Sequence, residues 1–373
     1  MHSKLRTWID IDTKALTHNY SFFRKYISKE VALLAVVKSN AYGHGLVDFA
    51  LHMEKCGVDM IGVDSVVEGI SLRKKGIQTP ILTLGYVLPE VISDAQEHNI
   101  TVTVSTFEGL SEVAKSDTST PLTVHIKVDT GMHRQGFLKH EKARVIEQLK
   151  KLPEHVRVTG LYTHFASAKN PVVRGLTNTQ IVEFNEWRAL FKEEGFKVIA
   201  HASATAGALL YPEAHYDMVR IGIGMYGHSP SGEVSAYLGE KLDLRPALTW
   251  KTIISEVKKL PEGGRVGYDQ LGYIDKGGVL AVCPIGYWHG YPRALSGLGR
   301  VIVNGVVARV IGRVSMDMIA LDVTNASAKV GDEVCILSPE YPEIGAQNVA
   351  GLADTIHYEL ITQINPLIKR YYV

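Results

Sequence analysis

The sequence predicts a parallel (β/α)8 barrel of the TIM type, followed by a mostly antiparallel β domain. Up to about residue 225, short apolar runs alternate with longer amphipathic segments, which is typical of parallel strands covered by helices on both faces. After Leu244-Arg245-Pro246, turns rich in Gly, Asn and Asp separate further strand-like runs. We therefore expect the barrel over residues 10–238 and the β domain over residues 239–373, with residues 1–9 packing against the β domain.

The predicted barrel strands are rich in Val, Ile and Leu and show no clean period of two, as expected for buried parallel strands. Gly57, Gly76 and Gly195 follow helical segments and mark helix ends. An open doubly wound sheet would produce the same alternation, but a count of eight favours a closed barrel. The predicted strands are Leu33–Val37, Met60–Val63, Ile81–Leu84, Thr101–Val104, Thr123–Val128, Val158–Tyr162, Val198–His201 and Asp217–Ile221.

The second domain is predicted from strand-like runs and one clear turn. In Val303-Asn304-Gly305-Val306, an Asn-Gly pair between β-branched residues predicts a tight hairpin. A helix is predicted only late, over Ala346–Tyr358. The predicted strands are Leu248–Val257, Gly278–Pro284, Gly299–Val303, Val306–Val314 and Met318–Val323.

Composition excludes several classes of protein. Lys and Arg (40 residues) nearly balance Asp and Glu (39), so no net field favours nucleic acid or an anionic membrane. No apolar run is long enough to cross a bilayer, and the N-terminus lacks the apolar core of a signal peptide. The three cysteines are widely spaced and outside any metal-ligand pattern. We expect a cytoplasmic globular protein.

A lysine follows directly on the first barrel strand, in the segment Val37-Lys38-Ser39-Asn40-Ala41-Tyr42-Gly43-His44-Gly45. In a barrel this position is the C-terminal rim, where active sites lie. An amine that is partly desolvated there, near other cations, has a lowered pKa and forms a Schiff base with an aldehyde. A lysine that simply leaves the strand for water is the alternative, and the dense polar loop after it favours a site.

The segment Ala35–Gly45 resembles the cofactor-lysine signature of bacterial alanine racemases, and the similarity runs from Trp8-Ile9-Asp10-Ile11 to the C-terminal strand. The resemblance implies pyridoxal 5′-phosphate as the cofactor. It also implies that Lys38 carries this cofactor and is one of two catalytic bases, and that Tyr42 contacts the cofactor phosphate. The expected activity is racemisation of a small amino acid, with alanine as the leading substrate.

A second chemical signal is an arginine within an apolar strand, Met218-Val219-Arg220-Ile221-Gly222-Ile223. A buried arginine needs a partner, and a carboxylate such as Asp217 is one candidate. The adjacent glycines let backbone N–H groups approach a phosphate. The resemblance implies instead that Arg220 faces the pyridine nitrogen and that Gly222 and Ile223 bind the phosphate. An arginine is always charged, so the pyridine nitrogen that it faces is expected to carry no proton. We therefore expect return of the α-proton to the substrate rather than transamination.

The resemblance supplies the remaining candidate residues. Racemisation needs a base on each face of the reacting carbon, and Tyr268, in Gly267-Tyr268-Asp269, matches the opposing tyrosine. By the same match Arg134 binds the substrate carboxylate, since guanidinium suits planar bidentate contacts, and Lys127 is a possible carbamylated lysine. The match also implies that His164 links the tyrosine to the pyridine-facing arginine. Thr205 and Tyr358 are expected to contact the phosphate, and Tyr287 and Met316 to contact the substrate.

The family pattern also implies an obligate homodimer, in which Tyr268, Tyr287 and Met316 are donated to the neighbouring subunit's site. Taken alone, Tyr268, Tyr287 and Tyr358 could equally be packing aromatics, and His164 could be a satisfied rim histidine. The amino-acid substrate and the second subunit are therefore the only partners we expect.

The sequence departs from the family pattern at four positions around the site: Ala204 stands where Asn is usual, His133 where Gly or Asn is usual, and Trp288-His289 where Ala-Asp is commoner. We interpret these changes as affecting substrate choice, so a serine or broad-specificity racemase stays open. A barrel-type decarboxylase, a non-enzymatic pyridoxal-phosphate carrier and a purely structural barrel are the remaining alternatives.

Overall fold

The computed structural model describes residues 4–373, and their contacts divide them into two compact units. One unit consists of Leu16–Ala41 and Leu46–Arg245. The other consists of the described residues up to Ala15, the short loop Tyr42–Gly45, and Pro246–Val373. The first strand, β1 (Thr7–Ile11), thus belongs with the second unit. The expectation for residues 1–3 lies outside the described residues.

The first unit is the predicted barrel. Its eight strands run parallel: the first seven pair with one another in chain order, and the eighth pairs with the first. Between the seventh and eighth strands the ring is completed by isolated backbone bonds, such as that from the N–H of Asp217 to the carbonyl of Ala200 at 3.0 Å. This nearly closed ring excludes the open doubly wound sheet. The strands are β2 (Ala32–Val36), β3 (Met60–Val63), β4 (Ile81–Thr83), β5 (Ile100–Val104), β6 (Leu122–Lys127), β7 (Val156–Tyr162), β8 (Ile199–His201) and β9 (Met218–Ile221).

Helices follow most barrel strands and bury one apolar face each. The helix after β3 begins where the Ser65 hydroxyl accepts the N–H of Glu68 at 3.3 Å, a side-chain cap that satisfies one free donor of the first turn. No helix of residues 4–373 is long and apolar enough to cross a membrane. The α-helices of this unit span Leu46–Cys56, Val66–Arg73, Ile92–Glu97, Phe107–Ala114, Lys142–Lys150, Gly175–Glu193, Thr205–Leu210 and Gly232–Leu238, and Thr13–Tyr26 begins just before it.

The second unit is built on a nine-stranded, mostly antiparallel sheet, in which β1 lies between the strand at residues 248–253 and the last strand, at residues 370–372; the strands at residues 264–266 and 272–274 form a separate two-stranded sheet. The run expected as one strand over Leu248–Val257 is two strands separated at Ile254-Ser255. A strand at Glu333–Leu337 was not expected. The strands are β10 (Leu248–Ile253), β11 (Glu256–Leu260), β12 (Gly264–Val266), β13 (Gly272–Ile274), β14 (Gly278–Cys283), β15 (Arg300–Val303), β16 (Val306–Ile311), β17 (Ile319–Asp322), β18 (Glu333–Leu337) and β19 (Arg370–Tyr372).

Two local predictions for this unit have different outcomes. The Asn-Gly hairpin is confirmed, because Asn304 and Gly305 join β15 to β16 with φ of 49° and 79°, as a type I′ turn requires. The single helix expected over Ala346–Tyr358 is wrong. It is two helices, Ala346–Leu352 and His357–Thr362, and Asp354 between them has a φ of 54°, which interrupts the right-handed path.

Candidate active site

Three cationic side chains and a histidine gather at the C-terminal ends of the barrel strands. Lys38 follows β2, Lys127 ends β6, His164 follows β7 and Arg220 lies in β9. In a closed parallel barrel these ends lie on one face. Strand order therefore brings together predicted residues that are up to about 180 positions apart in the sequence.

Lys38 has a defined partner on this face. Its Nζ lies 3.1 Å from Oδ1 of Asp64, which follows β3. The carboxylate of Glu68 accepts the N–H of Ser39 at 2.9 Å and that of Asp64 at 2.7 Å. Glu68 thus fixes the backbone next to both members of the Lys38–Asp64 pair. The Lys38 side chain keeps about a third of its surface open (38%), so its amine stays accessible.

The chain turns left-handed immediately after Lys38. Ser39, Asn40, Ala41 and Tyr42 all have φ between 49° and 56°. This conformation costs an L-residue roughly 1–2 kcal/mol, so the surroundings must hold it. Besides the Glu68 contact, Oδ1 of Asn40 accepts the N–H of residue 46 at 3.1 Å. Strain of this kind, retained by specific bonds, is common at functional sites.

Arg220 is almost fully buried (3% exposed) and is satisfied by neutral acceptors. Nη1 donates to Nδ1 of His201 at 2.8 Å, and Nη2 donates to the carbonyls of Thr163 and Ala202, each at 2.8 Å. Nη2 also lies 3.2 Å from Nδ1 of His164. The hydrogen bonds of Arg220 to described residues include none to the expected alternative partner Asp217, whose carboxylate accepts the N–H of Ala200 at 2.7 Å.

Behind Arg220 lies a buried pair of histidines. Nε2 of His201 is 3.0 Å from Nδ1 of His125, and the ring of Tyr162 stacks on His201 at 4.6 Å and 6°. Burial, with the charge of Arg220 as a smaller cause, lowers the pKa of His125 to about 3, and burial holds the pKa of His201 well below its ordinary value. Both rings are therefore neutral at physiological pH. A Cβ on Gly160 would lie 2.3 Å from the His125 ring, so this strand needs glycine there.

Backbone N–H groups and a hydroxyl gather where β8 and β9 end. Thr205 is buried, and its Oγ1 accepts the N–H groups of Gly222 at 3.2 Å and Gly224 at 3.4 Å. Its own O–H is left to donate. Ala204 occupies the N-cap of the short helix, and its methyl group cannot accept a capping hydrogen bond. No group at this position therefore takes the place of the asparagine amide of the family pattern. Ile223 begins the next turn.

Lys127 lies among like charges. It is 4% exposed, and burial, then Arg134, Arg220 and Lys38, lower its pKa to about 8. Its Nζ donates to Oε1 of Gln135 at 2.9 Å. Lys127, Arg134 and Gln135 line one small cavity together with Thr163 and His164.

The loop that carries Arg134 is held by one carboxylate. Oδ1 of Asp129 accepts the N–H groups of Gly131, Met132 and His133 at 2.9–3.0 Å. His133 has a φ of 53°, in the left-handed region that favours Gly or Asn. The usual residues at this position therefore suit its backbone better than histidine does.

In the second unit, Tyr42 and Tyr358 lie together, with ring centroids 6.2 Å apart and planes at 54°. Burial raises the pKa of Tyr42 to about 12 and raises that of Tyr358 still more, with Tyr42 as a lesser cause. Both are protonated donors at physiological pH. Gly43 is obligatory beside them, since a Cβ would meet the carbonyl oxygen of Ile361 at 2.0 Å.

Tyr287 and Met316 lie on adjacent backbone segments. The N–H of Tyr287 donates to the carbonyl of Ser315, and that of Trp288 to the carbonyl of Met316, both at 3.0 Å. Their side chains are exposed, as is that of Trp288. Tyr268 is also exposed and lies in the turn between β12 and β13, where Asp269 pairs with Arg313 at 2.6 Å.

Asp64, Glu68, His125 and His201 were not singled out from the sequence. His125 had a usable signal: it stands two residues before Lys127 on β6, and alternate strand residues point to the same face. Asp64 and Glu68 gave no signal in the sequence, because two acidic residues at the start of an amphipathic helix are common in helix N-termini.

The comparisons with known proteins agree with this geometry. The alanine racemase N-terminal domain family matches residues 11–230, and the C-terminal domain family matches residues 247–372. An alanine racemase of Syntrophobacter fumaroxidans is 38% identical over 363 residues, covering 96% of this chain and 95% of that protein. Alanine racemase 2 of Bacillus subtilis is 36% identical, covering 98% and 94%.

Solved structures show the same relationship. An alanine racemase of Clostridium difficile has a TM-score of 0.93 at 32% identity, over 99% of this chain and 96% of that one. An alanine racemase from Bacillus anthracis with bound L-Ala-P has a TM-score of 0.92 at 33% identity, over 99% and 95%.

Together with these relatives, a (β/α)8 barrel that has a lysine at the end of its first strand and is followed by a β domain is that of a barrel-type amino-acid racemase, and hence of an isomerase. The chain belongs to the alanine racemase family.

Proposed function

We propose that this protein interconverts L-alanine and D-alanine, with pyridoxal 5′-phosphate held by Lys38. The observation that carries the proposal is the buried Arg220, which lies in the barrel with Lys38 and is satisfied by carbonyls and imidazoles rather than by a carboxylate. The names of the relatives support alanine as the substrate.

The residues present fit this cofactor. None of the hydrogen bonds that Arg220 makes to described residues uses Nε, so one N–H remains for an acceptor such as a pyridine nitrogen. Thr205 keeps a hydroxyl proton to donate, and we assign it and the N–H of Ile223 as donors to phosphate oxygens; Gly222 has no side chain to obstruct them. By the resemblance, we assign the protonated Tyr42 and Tyr358 as further phosphate donors.

Bound pyridoxal phosphate withdraws electrons from the substrate Cα and so makes its proton acidic. The residues of the chain then move that proton. We assign the Lys38 amine as the base on one face and the Tyr268 hydroxyl, contributed by the partner subunit of a homodimer, as the base on the other. Asp64 and Glu68 orient the Lys38 segment.

Arg220 selects the type of reaction. It is a donor without a proton-accepting site, so it would hold the ring nitrogen of the cofactor in its unprotonated form. This would limit electron withdrawal and favour return of the proton to Cα over transfer of the amino group. His164 lies half-buried beside Arg220, and burial and the nearby cations hold its pKa well below its ordinary value; we assign it as the link from Arg220 to the tyrosine base.

Arg134 is the proposed ligand of the substrate carboxylate, since its planar guanidinium can bind both oxygens. Lys127 is the proposed carbamylation site. Its pKa of about 8 leaves a usable fraction of neutral amine to add CO2, and the resulting anion would orient Arg134. Tyr287 and Met316 of the partner subunit would close the substrate site.

The alternatives are less well supported. A match to the family's C-terminal domain over residues 247–372 counts against a single-barrel carrier, and Arg220 without a carboxylate counts against a decarboxylase. Trp288 and His289 keep serine or a broader amino-acid range as the second candidate. The three cysteines are all free thiols, which suits the cytoplasm as the proposed compartment.

The test is a racemisation panel of L- and D-alanine, serine, lysine and arginine on the cofactor-loaded protein. We expect the highest kcat/KM with alanine, equal concentrations of both enantiomers at equilibrium, and loss of both activity and Schiff-base absorbance in Lys38→Ala. Absorbance without racemisation of any of the four would contradict the proposal.

A further inference from the structure

The turn that carries Tyr287 and Trp288 is closed by a histidine side chain. Nδ1 of His289 accepts the N–H of Gly286 at 3.2 Å, and the N–H of His289 returns to the carbonyl of Gly286 at 3.0 Å. This reciprocal pair has the form of a capping box, in which an acidic or amide side chain usually accepts.

The turn has little room to adjust if this bond is lost. A Cβ on Gly286 would lie 2.2 Å from the carbonyl oxygen of Ser315, and one on Gly290 would lie 2.5 Å from that of Gln363. The carbonyl of His289 accepts the N–H of Asn365 at 3.1 Å. The backbone is packed on both sides, so the Gly286 N–H has no nearby replacement for Nδ1.

The bond fixes the protonation state of the ring. A backbone N–H only donates, so Nδ1 of His289 must hold its lone pair and the proton must be on Nε2. A second proton on the ring would place two N–H groups face to face. An aspartate or asparagine oxygen at this position would remain a hydrogen-bond acceptor throughout the range from pH 5 to 8.

We propose that His289 is a positioning residue for Tyr287 and Met316: its neutral ring closes the Gly286–Gly290 turn, and uptake of a proton opens that turn and weakens substrate binding. The inference rests on the proposed function, which assigns Tyr287 and Met316 to the substrate site. His289 itself touches neither the reacting atoms nor the two bases.

Several groups act on this ring. Burial has the largest effect and lowers the pKa of His289 below the ordinary histidine value; Asp317, on the segment of Met316, opposes it, and Arg6 adds to it. The ring is therefore neutral at pH 7 and above. The unfolded chain gains its proton first, near the ordinary value of about 6.5. Falling pH then costs stability, down to the folded-state pKa.

The kinetic test compares the wild-type holoenzyme with His289→Asn, which keeps an acceptor that does not titrate. Dividing the KM for alanine of the wild type by that of His289→Asn at each pH cancels titrations shared by both proteins. We expect this ratio to be near one at pH 8 and to rise about five- to tenfold by pH 5, as for loss of one buried hydrogen bond. The corresponding kcat ratio should stay constant. His289→Leu, which lacks an acceptor, should have a raised KM at every pH.

A second measurement does not depend on catalysis. The urea midpoint of the wild type should fall relative to that of His289→Asn as the pH drops from 8 to 5, and His289→Asp serves in its place if the asparagine variant does not fold. A constant difference in midpoint and a constant KM ratio would overturn the proposal. If the protein does not racemise alanine at all, the proposed function fails, and the midpoints still decide the role of His289.

Discussion

Nη1 of Arg220 donates to Nδ1 of His201, and Nε2 of His201 in turn donates to Nδ1 of His125. A guanidinium has no acceptor, so the first bond forces the proton of His201 onto Nε2, and the second forces that of His125 onto its own Nε2. Three buried side chains thus form a one-way series of donors. The orientation of Arg220 depends on a residue of β6 that it does not touch.

Replacing Arg220 by lysine should lower both stability and catalysis. A lysine keeps the charge but cannot donate to His201 and the two carbonyls in one plane, so the protein should be destabilised. The Nε–H assigned to the cofactor is lost as well, and since a hydrogen bond from a charged donor is worth about 1.5–3 kcal/mol, kcat/KM should fall by about tenfold to a hundredfold. Steady-state kinetics and cofactor titration measure this. Arg309→Lys, at an exposed ion pair, is the control and should change neither kcat/KM nor cofactor affinity. An equal effect of the two substitutions would refute a special role for Arg220.

The end of the donor series can be tested at His125. His125→Leu leaves the Nε2–H of His201 without its acceptor, which should cost about 1–3 kcal/mol of unfolding free energy. His125→Asn offers an oxygen and should recover part of the loss. Urea denaturation at pH 7.5 gives both values. Equal destabilisation by the two variants would mean that ring volume, rather than the acceptor, matters.

Lys127 should make stability rise with pH. Its pKa is about 8 in the folded protein and about 10.4 in the unfolded chain. The unfolded chain therefore binds the proton more tightly, folding is penalised in full below pH 8, and the penalty fades as pH rises to about 10.4. In bicarbonate-free buffer, Lys127→Met should be more stable than the wild type at pH 7, and the advantage should shrink by roughly 3 kcal/mol by pH 10.4.

Added bicarbonate distinguishes a free Lys127 amine from a carbamylated Lys127. A carbamate among Arg134, Arg220 and Lys38 would be favoured by charge, so bicarbonate should stabilise the wild type and leave Lys127→Met unchanged. The same response in both proteins would exclude modification of Lys127 as its cause.

Gly160→Ala tests the space needed by His125. The new Cβ would lie 2.3 Å from the ring, and overpacking of this kind typically costs about 1–3 kcal/mol. Gly351→Ala is the matched control, because it lies in a helix with nothing within 4 Å and should stabilise by about 0.5–1 kcal/mol. Thermal unfolding compares the two, and the proposed crowding fails if Gly160→Ala is neutral.

Much of the barrel was predictable because buried parallel strands leave a strong apolar signal. The β domain was predicted less well: Leu248–Val257 is continuously strand-like, and the break at residues 254–255 is set by pairing with two different partners. At the site, Lys38 and Arg220 stand out because a charge in an apolar strand is rare. Glu68 does not, because its two backbone contacts join segments that only the fold brings together.

The pairing of β1 has a consequence for the order in which the protein is made. This strand is synthesised before the eight barrel strands, but its two neighbours, β10 and β19, are among residues 248–372. Both edges of β1 thus stay unpaired while the intervening chain, including all eight barrel strands, leaves the ribosome. An unpaired edge is a template for association with other chains, so the interval between translation of residue 11 and residue 372 is when a nascent copy is most exposed to aggregation.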